Sequence, residues 1–404
     1  MYDLIVFGAT GFTGRLIAEY LAQLNASGQA IRWALAGRNM AKLKGIQRQI
    51  GANQEVGLLQ ANTSDPESLD QLVKQAKIII TTVGPYQIYG ENLLKACAKN
   101  GTDYLDLCGE PLWMAQMIPL VDEIARSSGA RIIFSSGFDS IPFDLGVVYL
   151  QQQAFQRFGR YFTQVSGRVK SMKGTFSGGT VASMMATISA LGKDHSLLQG
   201  MKNSFLLTPG FKGVKQAPSH LVKFDPTLAN WCTPFVMAPI NLKNVHRTNY
   251  LLNYPWGQDF QYDEMVLTGS GDEGEARAKK LFKNDNRQQT LLYFAPTRWL
   301  LAKFVLPKPG QGPNKDQRDK GSFEIVFHGN DTAHTMIASV KGFQDPGYGC
   351  TSKMIAQSAL CLLESFPKEQ LVGGVYTPGA AMGSTLIDRL HGLGILRFEM
   401  QIPS

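Results

Sequence analysis

Long apolar runs are missing. Nowhere in the 404 residues do about 20 uninterrupted apolar residues occur, the length that a membrane-spanning helix needs, so none is expected. The chain opens on a strand-like run at its second residue, which leaves no room for a signal peptide. Cysteine is scarce and scattered: Cys97, Cys108, Cys232, Cys350 and Cys361 form no C-x-x-C. An odd, dispersed set reads as reduced thiols of a cytoplasmic protein. The six histidines form no H-x-x-x-H or H-E-x-x-H, so no metal site is expected. Internal repeats, low-complexity tracts and nucleic-acid recognition motifs are also lacking.

The formal net charge is +8, and its distribution is uneven. Residues 277–320 carry eleven Lys or Arg against three Asp, so this segment accounts for the whole excess. A local basic field points to an anionic partner or surface.

The N-terminal stretch is the most informative. Tyr2 to Phe7 is an aliphatic and aromatic run fit for a buried strand. Gly8-Ala9-Thr10-Gly11-Phe12-Thr13-Gly14 follows, then a helix with Leu16, Ile17, Tyr20, Leu21 and Leu24 on one face. Strand, glycine-rich turn and helix is the geometry that cradles a dinucleotide pyrophosphate. Gly8 allows a tight turn, Gly11 lets backbone approach phosphate, and Gly14 lets helix and strand pack closely. The spacing is G-x-x-G-x-x-G, and a structural turn without nucleotide is the alternative. A second strand, Ile31 to Ala36, ends in Gly37-Arg38-Asn39, with Lys42 one turn on. An NAD site carries an acidic residue here for the ribose 2′-hydroxyl. A cation suits a 2′-phosphate instead, so the expected cofactor is NADP; the alternative is a solvated Arg38.

Strand and helix then alternate for about 145 residues, which predicts a doubly wound parallel sheet. Further strands are expected at Glu55–Ala61 (followed by Asn62, near the adenine), Lys77–Val83, Tyr104–Leu107 and Arg131–Ser136. The pattern changes after residue 150. Strands at Val165–Met172, Phe260–Thr268, Gly321–His328 and Ala333–Lys341, with few helices between them, predict a mixed or antiparallel sheet. A helical stretch over Gly274–Leu306 holds most of the basic excess. The C-terminal part reads as a helix (Thr351–Phe366), a short strand (Val372–Tyr376), a helix from Pro378 and a closing Leu396–Met400.

Eight stretches carry a family resemblance along the whole chain: Gly-Ala-Thr-Gly-Phe-Thr-Gly-Arg (8–15), Ala-Gly-Arg-Asn (36–39), Thr-Val-Gly-Pro-Tyr (82–86), Asp-Leu-Cys-Gly-Glu (106–110), Gly-Phe-Asp-Ser-Ile-Pro (137–142), Ser-Gly-Gly-Thr (177–180), Asp-Pro-Gly-Tyr-Gly-Cys-Thr-Ser-Lys (345–353) and Thr-Pro-Gly-Ala-Ala-Met-Gly (377–383). The sequence resembles the saccharopine dehydrogenase-like oxidoreductases, and within them the bacterial trans-acting enoyl reductases. The resemblance implies a Rossmann-like α/β domain over 1–150, completed by 347–404, with an inserted α+β domain over 151–346 for substrate binding or dimerisation. It also implies an NADP-type cofactor. The arginine set that holds a dicarboxylate in true saccharopine dehydrogenases does not map onto residues 137–190, where Arg168 and Lys173 are the nearest cations. A hydrophobic acyl or enoyl substrate is therefore expected. The alternatives are an amino-acid-type dehydrogenase acting on a C–N bond, or a non-catalytic NADP(H) sensor or scaffold.

In this fold the nicotinamide lies at the carboxyl ends of the fourth to sixth strands. Val83, Gly84, Pro85, Tyr86, Cys108 and Gly109 are expected around it. Tyr86 is the first candidate to steady an enolate or deliver a proton, its alternative being a ring that shelves the cofactor. Asp139 is a candidate acid or a helix cap, and Glu110 a candidate acid or a cap for the helix begun by Pro111. Cys108 reads as a small buried thiol, while Asp345 and Tyr348 close the site from the other side. Thr290–Leu306, rich in aromatics and aliphatics, is open to three readings: a core or homodimer helix, a membrane-interface helix, or a docking site for an acidic acyl-carrier protein.

Overall fold

The computed structural model describes residues 1–52, 55–174, 178–293, 310 and 312–401. The first sheet contains β1 (Tyr2–Phe7), β2 (Trp33–Gly37), β3 (Gly57–Gln60), β4 (Ala76–Thr81), β5 (Asp103–Leu105) and β6 (Arg131–Ile133), all parallel. Between them run α1 (Phe12–Ala26), α2 (Met40–Gln49), α3 (Pro66–Val73), the short α4 (Tyr86–Tyr89), α5 (Glu91–Asn100) and α6 (Pro111–Ser128). Burial on both faces explains the unbroken apolar runs. In β1, Leu4 and Val6 join one core cluster, and Ile5 and Phe7 the other. Asp65 caps α3 by accepting from the Ser68 amide at 3.2 Å.

The second sheet is mixed. It contains β7 (Gln164–Lys173), β8 (Lys223–Asp225), β9 (Asn230–Pro234), β10 (Gln261–Gly269), β11 (Ser322–Asn330) and β12 (Thr335–Gly342). Only β7 and β10 pair in parallel within it. Its helices are α7 (Ile141–Phe158), α8 (Gly178–Lys193), α9 (Leu197–Lys202), α10 (Ala238–Leu251), α11 (Gly271–Tyr293) and α12 (Lys315–Asp319). The expected helix over Gly274–Leu306 is α11 in its first part, and residues 294–309 lie outside the described residues.

The C-terminal part uses both sheets. β13 (Gly374–Tyr376) pairs with β6 at the edge of the first sheet. α13 (Thr351–Ser365) packs on α1, and α14 (Pro378–Gly392) on α7. The last strand, β14 (Leu396–Gln401), pairs with β12 in the second sheet.

The helix α10 departs most from the sequence reading, which placed nothing there. It is buried between elements of both halves, yet its sequence is polar. Each polar side chain has a partner. Asn241 donates to Glu264 at 2.9 Å, and Asn244 to the Ser140 hydroxyl at 2.8 Å. Arg247 donates to the Leu207 and Val375 carbonyls, and Thr248 to Asp144. Helical periodicity of apolar residues cannot reveal a helix held this way.

Candidate functional site

The strand order of the first sheet is β13-β6-β5-β4-β1-β2-β3. It reverses between β1 and β4, so a crevice opens at their carboxyl ends. The turn after β1 fills one side of it. Gly8 has φ +89°, and a Cβ there would come within 2.7 Å of Val83. A Cβ on Gly14 would meet the Gly8 carbonyl oxygen at 2.3 Å. Glycine is required at both places. The first turn of α1 carries no side-chain cap and no acidic residue. Its amides and its positive dipole end are therefore offered to an anion, which fits a dinucleotide pyrophosphate.

Gly37 ends β2 beside this turn, with Thr10 close to it. Arg38 follows, exposed and without an acidic partner among the described residues. Asn39 caps α2 by accepting from the Lys42 amide at 3.0 Å, which fixes Lys42 one turn from Arg38. Asn62, past the end of β3, is exposed and accepts from the Ser64 amide. The cationic tip fits the 2′-phosphate of NADP.

The crevice continues into a cavity of about 2820 Å³ between the two sheets' loops. Phe12, Thr13, Gly84, Tyr86, Cys108, Gly109 and Asp139 all lie in its wall. Val83 and Pro85 flank Gly84 in the chain, and Gly8 and Gly14 lie against the Thr82 side chain. Val181, Met184, Ile188 and Leu191 of α8 and Leu281, Phe282 and Leu292 of α11 add apolar wall, interleaved with Thr187 and with Asp285, Asn286, Gln288 and Gln289. Drug-sized ligand sites occupy about 300–1,000 Å³, so this space exceeds what a single compact ligand fills.

The candidate acids differ in their surroundings. The Tyr86 phenol is buried, donates to the Thr81 carbonyl at 3.2 Å and accepts from the Leu107 amide at 3.1 Å. Burial and the neighbouring Asp106 raise its pKa well above the usual phenol range. Both of its hydrogen-bonding directions are thus taken by backbone. Glu110 does not line the cavity. Its carboxylate accepts from the Tyr86 and Gln87 amides at 2.8 and 2.9 Å, capping α4 rather than the helix that follows it. Asp139 is half-buried in the cavity wall and has no hydrogen-bond partner among the described residues. It does not cap α7, whose N-cap Ser140 makes no side-chain cap bond either. Burial pushes the Asp139 carboxyl up to about 6. Cys108 is a buried thiol whose pKa burial drives upward.

Comparison with known proteins now has a geometry to rest on. Residues 4–133 match the saccharopine dehydrogenase NADP binding domain. A protein of Mycobacterium tuberculosis provisionally named a trans-acting enoyl reductase is 36% identical over 412 residues, covering 98% of this chain and 96% of its own. The trans-acting enoyl reductase of Mycobacterium bovis is 33% identical over 408 residues, covering 98% and 97%. The chain belongs to the saccharopine dehydrogenase-like oxidoreductases. The apo saccharopine dehydrogenase (L-Glu forming) of Saccharomyces cerevisiae shares the fold over 100% of both chains, with a TM-score of 0.54 and 12% identity. This oxidoreductase uses NADP, in agreement with its cationic β2 tip.

The oxidoreductase differs from a dicarboxylate site in where its arginines go. Arg168 is buried on the other face of β7, donating to Asp225 at 2.6 Å and paired with Asp263 at 2.9 Å. Arg15 and Arg318 do line the cavity, but their guanidinium carbons sit 5.4 and 5.9 Å from the Phe12 ring, against the nucleotide turn.

Sequence reasoning missed two residues that shape the site. Asp106, fully buried, accepts from the Cys108 and Ser135 amides at 3.0 and 2.8 Å and from the Tyr104 hydroxyl at 2.9 Å. It staples the ends of β5 and β6, and burial lifts its carboxyl to about 7. Ser135 holds a positive φ of 60° and donates to the Cys108 carbonyl at 2.6 Å. Asp106 was legible as part of Asp-Leu-Cys-Gly-Glu; Ser135 carried no signal.

Proposed function

We propose that this oxidoreductase uses NADPH to reduce the carbon–carbon double bond of a hydrophobic acyl substrate. The observation that carries this reading is the cavity that extends from the nucleotide turn to α8 and α11, where Val181, Met184, Ile188, Leu191, Leu281, Phe282 and Leu292 give an acyl chain apolar wall among polar neighbours. The names of the mycobacterial relatives agree with it. NADPH supplies a hydride. The chain's own residues do the rest: the Gly8–Gly14 turn holds the pyrophosphate, Arg38 and Lys42 hold the 2′-phosphate, and Gly84 and Gly109 let the backbone come close to the nicotinamide. Tyr86 and Glu110 keep the α4 turn in place beneath it. Asp139, in the cavity wall, holds an exchangeable proton on the site's side.

Lys280, Lys283 and Arg287 of α11, a helix that also contributes to the cavity's wall, are exposed, and Lys279 beside them pairs with Glu275. We place an acidic acyl carrier there as the form in which substrate arrives; a lipid surface and a second copy of this chain are the competing occupants.

NADPH oxidation measured with a panel of α,β-unsaturated acyl thioesters, and separately with 2-oxo acids plus an amine, tests the reading. Turnover with the thioesters alone is expected. Turnover only with the oxo acids would assign the protein to C–N chemistry. Tight NADPH binding with no oxidation by either panel would assign it to sensing.

A further inference from the structure

Tyr348 lies in the cavity wall beside the nucleotide turn, and its hydroxyl has no hydrogen-bond partner among the described residues. It lies in a π-helical turn, Pro346–Cys350, an irregularity that often marks functional positions. The Asp345 carboxylate fixes the turn by accepting from the Tyr348 amide at 2.8 Å. The ring meets Phe12 of the nucleotide turn edge-on, with centroids 4.8 Å apart. Tyr348 is 1% exposed overall, and its hydroxyl oxygen has no hydrogen-bond partner among the described residues. Yet the residue is part of the cavity wall. Tyr86 contrasts with it, since its hydroxyl is held twice.

The loop that carries Asp139 is tied to the same turn. The Thr351 hydroxyl donates to the Pro346 carbonyl at 2.8 Å and accepts from the Phe138 amide at 3.0 Å. One side chain therefore latches the loop that carries Asp139 to the turn that carries Tyr348. Burial first, then the charges of Asp345 and Asp139, drive the phenol's pKa well above its usual range. Its proton stays on the oxygen until a strong base appears in the cavity. An enolate is such a base.

Building on the enoyl-reductase reading above, we infer that Tyr348 is the proton donor of the reductive step and that Asp139 restores its proton. With the cofactor bound and supplying hydride to the β-carbon, the double-bond electron pair would move toward the acyl oxygen as an enolate. The Tyr348 O–H bond then breaks, its proton forms the new C–H bond at the α-carbon, and a phenolate remains. Asp139 passes one solvent proton back. The cofactor is oxidised by two electrons, the double bond is reduced by two, and the net proton comes from water.

The test uses Tyr348→Phe in the full chain, with three readouts: thermal midpoint without cofactor, NADPH affinity, and kcat with an α,β-unsaturated acyl thioester. Because the hydroxyl has no partner, the midpoint is expected not to fall. NADPH affinity is expected to stay within about twofold, and kcat to drop by about 10²–10⁴, the usual share of a positioned acid. A fall in kcat smaller than about tenfold, or a midpoint lowered by more than about 5 °C, overturns the assignment while the enoyl-reductase reading stands. Wild-type protein that oxidises NADPH with no thioester overturns both.

Discussion

At the scale of single residues, the site separates groups held by the fold from groups left open. Tyr86, Asp106 and Glu110 are held: each accepts backbone amides, and each fixes a loop. Arg38 is exposed without an acidic partner, and the half-buried Asp139 carboxyl and the buried Tyr348 hydroxyl have no hydrogen-bond partner among the described residues. A buried hydroxyl without a partner costs about 1–3 kcal/mol relative to a bonded one. Arg38→Ala should weaken NADPH binding about tenfold to a hundredfold and leave NADH binding unchanged, since a charge-assisted hydrogen bond is worth about 1.5–3 kcal/mol. Paired titrations with the two nucleotides measure this. Gly8 and Gly14 were readable from sequence because the close approach they permit is set by near neighbours. The choice between Tyr86 and Tyr348 was not. It depends on the Thr81 carbonyl and Leu107 amide that satisfy one phenol, and on Thr351 joining segments about 210 residues apart around the other.

At the scale of elements, the cradle depends on close approach. Gly14→Ala should abolish nucleotide binding, because its Cβ would sit 2.3 Å from the Gly8 carbonyl oxygen and force α1 away from β1. Equilibrium binding of NADPH by the folded variant is the check. At the other edge of the first sheet, Arg131 is buried against Asp103 and also donates to the Phe366 carbonyl after α13. Removing one partner of a buried pair typically costs about 3–5 kcal/mol. Arg131→Met should lower unfolding stability by that amount in urea melts. The first sheet was legible because its strands are continuous apolar runs between glycine turns. α10 was not, since its buried face is amide, guanidinium and hydroxyl. The β8–β9 hairpin was missed because two strands of three and five residues give alternation too little length to register.

At the scale of the whole molecule, buried carboxyl groups link stability to pH. Burial pushes Asp106 and Asp144 up to about 7 and Glu264 up to about 8, whereas free carboxyls titrate near 4. A group whose folded pKa is raised contributes stability below its unfolded pKa and loses it as pH rises through the folded value. These three therefore lower stability between about pH 4 and pH 8. His246, pushed down to about 3 by burial, opposes them only below its unfolded pKa near 6.5. Asp225, held low by His328 and Arg168 against its burial, matters only in acid. The protein should be more stable in urea at pH 5.5 than at pH 8, and Glu264→Gln should flatten the slope above pH 7. A stability that rises across that window contradicts this assignment.

The same scale carries the functional claim, because the nucleotide turn and the partly apolar gallery between α8 and α11 line one cavity. Each methylene buried in such a gallery is worth about 0.8 kcal/mol, or roughly fourfold in affinity. The direct measurement is kcat/KM for NADPH-dependent reduction across a series of α,β-unsaturated acyl thioesters of increasing chain length. The account predicts a rise of about threefold to fourfold per methylene until the gallery is filled. Activity that is flat with chain length, or confined to short polar acceptors, would contradict it.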